Sequence, residues 1–189
     1  MKTLLTLGAA CSLVIGAWAF QAAGKNDLPG AVKGYQKWTK VTEKPVDMAP
    51  SLALSCRGPM TWEMAPNPHV KYVFNVFVNK TGLAAFKKEG KTEFPYGTII
   101  VKEKFDSGRK VDEFPPKPVD IKGKKPVLLT VMRKGKKGSS PETGDWEFMS
   151  ATGDLSKSDT TEKKTCVNCH VKYAKADLVF RDYALAPGF

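Results

Sequence analysis

The sequence predicts an α+β fold: one antiparallel β-sheet with a few helices, and a cysteine–histidine motif on a C-terminal helix. Two observations predict it. The middle of the chain holds several segments in which apolar and polar residues alternate, separated by turns rich in Gly, Pro and Asp. Helical patterns are short and fall before, inside and after the run of strands, which excludes the strand–helix alternation of a parallel sheet.

Residues 1–19 read as a secretory signal peptide. Lys2 is followed by an apolar run, then by small residues, and Ala17-Trp18-Ala19 offers an A-x-A cleavage site, with Ala23 as second choice. The competing reading is a retained anchor, but the run is broken by small residues and is marginal for a span of roughly 20 residues. Cys11 lies inside the apolar run, too early for a lipid-attachment site. Residues 24–189 are then expected to form a single domain, without stable membrane insertion.

Within that domain, "LPGAVKGYQKWTKV" (28–41) predicts a short helix carrying Tyr35 and Trp38, and 43–59, with three prolines, predicts irregular chain. "HVKYVFNVFVN" (69–79) is the strongest strand signal. Val70, Tyr72, Phe74, Val76 and Val78 form an apolar face, and the other face is mixed. "TGLAAFKKEG" (81–90) predicts an amphipathic helix ended by Gly90. A turn at Pro95–Gly97 precedes a strand over 98–105, and further strands follow over 126–135 and 144–152. The polar stretch 153–164 leads to the C-terminal helix.

The formal charge is +11, spread over small clusters such as Lys87, Lys88 and Lys91, or Arg133, Lys134, Lys136 and Lys137. A solvated basic surface is the bland reading. The functional one is a docking face for an acidic redox partner or an anionic membrane surface. Export argues against a nucleic-acid partner. It also constrains the cysteines: cleavage leaves Cys56, Cys166 and Cys169, an odd number in an oxidising compartment.

Cys166-Val167-Asn168-Cys169-His170 is C-x-x-C-H, the attachment signature of c-type haem. Two cysteines three apart on one helical turn project to the same side, where their sulfurs reach the two vinyl groups of one porphyrin edge. The next residue, His170, supplies an imidazole as proximal iron ligand. Two other uses compete. A thioredoxin-like pair normally opens a helix early in a βαβ unit, which is missing here. A zinc site would have to recruit Cys56 and His69 from far away in sequence.

The order of four blocks resembles the cytochrome P-460 family and its relatives, the β-type cytochromes c-prime. The blocks are "HVKYVFNVFVN", "YGTIIVKEKF", "GDWEFMSATGD" and "CVNCHVKYAKADLVFRDY". The resemblance implies an exported, largely β-sheet, homodimeric protein with one covalently attached haem c. The iron would be held by His170 and open on the distal side. Some members oxidise hydroxylamine with a lysine cross-linked to the haem; others lack the cross-link and bind nitric oxide or carbon monoxide. The lysine carries over to Lys102, otherwise an ordinary solvated strand lysine. Catalytic members carry an arginine in the strand where this chain has Phe74, a departure that favours gas binding over oxidation.

Among other residues, His69 is either a sixth ligand or a turn histidine, and the second use is commoner. Met132 and Met149 are iron-ligand candidates, yet core packing is the usual role of such methionines. Cys56 is read as buried and inert, or as an intermolecular bridge. Trp146 and Phe148 are expected in the core, and Tyr173 and Phe180 against the C-terminal helix. The competing functional classes are a six-coordinate electron-transfer cytochrome that hands electrons to an external redox partner, and a haem-free thiol or metal module.

Overall fold

In a computed structural model of the protein, residues 27–47, 72–108, 119–160, 166–168, 170–171 and 177–181 are described. Seven strands form one antiparallel sheet: β1 (Thr39–Lys40), β2 (Val46–Asp47), β3 (Tyr72–Val78), β4 (Ile99–Asp106), β5 (Leu128–Lys134), β6 (Trp146–Thr152) and β7 (Ser158–Asp159). Their order is β1-β3-β4-β5-β6-β7, with β2 also paired to β3. The expected α+β class with an antiparallel sheet is thus what the chain forms. The four long strands are the four predicted ones, each trimmed or shifted by one to three residues at its ends. The two-residue strands at the margins leave little edge for another chain to pair with.

Cross-strand partners share a face, so the register sorts the side chains. On the front face run three rows: Val78–Ile100–Met132–Phe148, Val76–Lys102–Thr130–Ser150, and Phe74–Lys104–Leu128–Thr152. On the back face run Phe77–Val101–Val131–Met149 and Asn75–Glu103–Leu129–Ala151. The mixed face expected for the 69–79 segment is buried as well, because both sides of the sheet are covered. His69 to Lys71 lie outside the described residues.

The back is closed by the N-terminal segment. Helix α1 (Leu28–Ala31) is capped by Asp27, whose Oδ1 accepts from Gly30 N at 3.0 Å. The helix expected over 28–41 breaks at Gly34, which takes φ of 74°, a left-handed conformation that glycine adopts without strain. A 3₁₀ turn at Tyr35–Lys37 follows, and Thr39 enters β1. Leu28, Val32 and Tyr35 pack on Phe77, Val101, Leu129, Val131 and Met149 to make the back core. Tyr35 and Asn75 also bracket the buried Glu103: the phenol donates to Oε2 at 2.8 Å and the Asn75 amide to Oε1 at 3.0 Å. Burial, reinforced by Glu103, pushes the Tyr35 phenol far above its usual range, so it stays a donor.

The front core joins Phe74, Val76, Val78, Phe86, Phe94, Ile100, Met132, Trp146, Phe148 and Val179. Helix α2 (Lys80–Lys87) contributes Phe86. Asn79 starts α2, its Oδ1 accepting from Gly82 N and Ile99 N, both at 3.1 Å. Arg181 closes the other end. Its guanidinium donates to the carbonyls of Ala85 at 3.1 Å and Phe86 at 3.3 Å, and also to Lys88 and Gly90. The first two are acceptors of the helix's last turn, which a helix leaves unmatched and where a cation is also favoured by the dipole. The C-terminal strap is thereby fastened to α2.

Candidate haem site

The C-x-x-C-H segment lies against the front face. Residues 166–168 and 170–171 have helical backbone; Cys169 is outside the described residues, so the full expected helix is not traced. Cys166 and Val167 pack against the front core, beside the strands that carry Trp146 and Phe148.

His170 is gripped by aromatic edges, with Phe148 at 5.3 Å and Phe180 at 5.0 Å between ring centroids. Its Nδ1 lies 2.7 Å from the carbonyl oxygen of Leu178. A carbonyl only accepts, so Nδ1 carries the proton and Nε2 keeps its lone pair. Burial pushes the imidazole pKa down to about 4, and the ammonium groups of Lys102 and Lys104 push the same way against the Leu178 carbonyl. The ring is therefore neutral at ordinary pH, the form that ligates a metal.

The Leu178 carbonyl is itself held. Asp177 and Leu178 both take positive φ, 49° and 60°. The Asp177 carboxylate accepts from Lys134 Nζ, 2.7 Å from each oxygen, and from Phe94 N at 2.8 Å. The Asp177 carbonyl accepts from the Trp146 indole at 2.8 Å. Lys134 is buried, lies over the Trp146 ring at 5.2 Å and donates to Gly144 O at 2.8 Å.

On the same sheet face, Lys102 is half-buried and its ammonium sits 4.4 Å from the centroid of the Phe74 ring. Phe74 itself is 2% exposed. Lys102, Thr130 and Ser150 form a half-exposed row across β4, β5 and β6, next to the closed row of Val78, Ile100, Met132 and Phe148. Lys102 is thus neither a fully solvated lysine nor a core residue.

Met149 belongs to the back core, on the opposite side of the sheet from His170, so register parity removes it as an iron ligand. Met132 faces front but is packed among Ile100, Phe148 and Trp146, its core role. Trp146 and Phe148 are in the front core as expected, and Phe180 touches the His170 ring. Cys56, His69 and Tyr173 fall outside the described residues.

Sequence reading missed Thr130, Ser150, Lys134, Asp177 and Leu178. For the first two a signal exists: each is a polar residue at the same strand parity as Met132 or Phe148. For Asp177 and Leu178 there is none, because non-glycine positive φ leaves no mark in composition.

The residues present fit a haem. A half-buried thiol at Cys166 and a neutral imidazole with a spare Nε2 sit one helical turn apart, on an apolar bed bordered by a half-open polar row. This is the frame of a β-sheet haem protein, not of an all-helical cytochrome. The chain belongs to the cytochrome P460 family: the family model, Cytochrome P460, matches residues 32–181. Membership implies a haem cofactor and iron binding. No curated protein matches the chain. Among the described residues no helix is long and apolar enough to cross a membrane.

Proposed function

We propose that this is a periplasmic mono-haem cytochrome of the c type, exported by a cleaved signal peptide, with an open distal site for a small nitrogen species such as nitric oxide or hydroxylamine. The observation that carries the reading is the state of His170: neutral, its Nδ1 committed to Leu178 and its Nε2 spare, within electrostatic reach of Lys102. Bound haem would supply an iron that the His170 imidazole would hold and that would bind the small ligand.

The chain's own residues do the rest. Cys166 and Cys169 would tether the porphyrin and so prevent its loss outside the cytoplasm. Phe148 and Phe180 limit rotation of the imidazole. Phe74, apolar and buried, would help exclude water from the ligand side of a bound haem and would offer no hydrogen bond, which favours reversible gas binding over oxidation. Lys102 would hold an amine beside the porphyrin edge, the position from which a cross-link or a hydrogen bond to a ligand would be made, and Thr130 and Ser150 would add hydroxyls in the same row. A homodimer and, for a catalytic protein, an external redox acceptor complete the proposal.

Intact mass and the reduced-state absorption spectrum test it. A mass raised by one haem with an ordinary c-type Soret band gives the gas-binding branch. A strongly red-shifted Soret band gives the cross-linked, oxidising branch at Lys102. A colourless protein from a host with working haem-attachment machinery overturns the reading.

A further inference from the structure

A salt bridge stands one residue away from the hydrogen bond that orients the candidate axial ligand. Asp177 is tied at four points: two carboxylate oxygens to Lys134, one of them also to Phe94 N, and the backbone carbonyl to the Trp146 indole. Side-chain exposure at the pair is only 8% for Lys134 and 13% for Asp177. The next residue, Leu178, presents its carbonyl to His170 Nδ1 at 2.7 Å. Its side chain lies close to Gly144: a β-carbon there would meet Leu178 Cδ1 at 3.3 Å, and Gly144 itself has φ of 58°. Two successive left-handed residues that are not glycine cost of order 1 kcal/mol or more each, so something must hold them there.

We propose that Lys134 and Asp177 form a positioning element for His170. The ion pair locks the Asp177–Leu178 turn, and the turn aims the Leu178 carbonyl at Nδ1. It thereby fixes the imidazole tautomer and strengthens Nε2 as a donor to iron, as second-layer hydrogen bonds to metal-bound histidines do. Lys134 reaches the site from the end of β5, so the register of the sheet is coupled to the electronics of the ligand. This rests on the haem reading above, and the test separates the two.

The test uses the haem-loaded protein and the variants Asp177→Ala, Asp177→Asn and Lys134→Met, with Glu147→Gln as control, which breaks the Arg133–Glu147 pair on the back face. The ferrous iron–histidine stretching band should shift to lower wavenumber and the midpoint potential should rise in Asp177→Ala and Lys134→Met. Asp177→Asn, which keeps an acceptor for Phe94 N, should fall between wild type and Asp177→Ala; the control should not move. An unchanged band and potential in all three variants overturn the proposal, even where their thermal stability drops. If the wild-type chain carries no haem, the haem reading fails by that fact. The ring-nitrogen shifts of His170 in the colourless chain then carry the test. Wild type should show a single Nδ1–H tautomer and Asp177→Ala a mixture; identical tautomers overturn the proposal.

Discussion

Lys102 and Glu103 are neighbours in the chain and live in different environments. Glu103 points to the back of the sheet, 7% exposed, with both carboxylate oxygens hydrogen-bonded by Tyr35 and Asn75. Lys102 points to the front, half-buried, over the Phe74 ring and in the row with Thr130 and Ser150. One strand thus carries a buried polar group with its partners on the back and a half-buried polar group on the front. The back network is satisfied within the chain, apart from Asn75 Oδ1, and serves stability. The front row stays half-exposed beside an apolar bed, which is how a candidate binding surface differs from a closed core.

That contrast can be broken from either side. The largest effect is expected at the attachment motif: Cys166→Ala with Cys169→Ala should abolish covalent pigment entirely, read by intact mass after denaturation, while the back core still folds. Next comes the back network. Glu103→Ala strands the Tyr35 hydroxyl and the Asn75 amide, at a cost of about 3 kcal/mol in urea unfolding for two unpaired buried groups, and leaves the absorption spectrum unchanged. Tyr35→Phe removes one donor and should cost about 1 kcal/mol by the same measurement. Lys102→Met inverts the pattern: stability changes by less than about 1 kcal/mol, while the dissociation rate of carbon monoxide from the reduced protein changes several-fold. The smallest effect is expected for Arg133→Gln, which breaks a part-exposed cross-strand pair with Glu147 and should cost about 0.5 kcal/mol without spectral change. Equal behaviour of Glu103 and Lys102 variants in both assays would erase the distinction between the two faces.

The sequence made the strands visible because short runs of β-branched and aromatic residues stand between turns, as in Tyr72 to Val78, although burial there covers both faces and does not alternate. It made the candidate ligands visible because the C-x-x-C-H signature of haem attachment sets Cys166, Cys169 and His170 at fixed spacing. What it hid depends on relations between distant segments. Thr130 and Ser150 become interesting only when strand register aligns them with Lys102. Asn75 lies on the face read as mixed, and nothing in the 69–79 segment reveals that Tyr35 and α1 cover that face. The short helix expected within 28–41 does not reach Trp38, because the left-handed φ of Gly34 turns the chain toward β1. Asp177 and Lys134 are 43 residues apart by their numbers, and their union is a tertiary fact.

The central claim is an iron held by His170 on one side and left open to small molecules on the other. The addition of carbon monoxide to the dithionite-reduced, pigment-bearing protein tests it most directly. The account predicts a high-spin reduced spectrum that converts fully to a carbon monoxide adduct. A low-spin reduced spectrum that carbon monoxide leaves unchanged would mean protein ligands on both sides of the iron, and would contradict it.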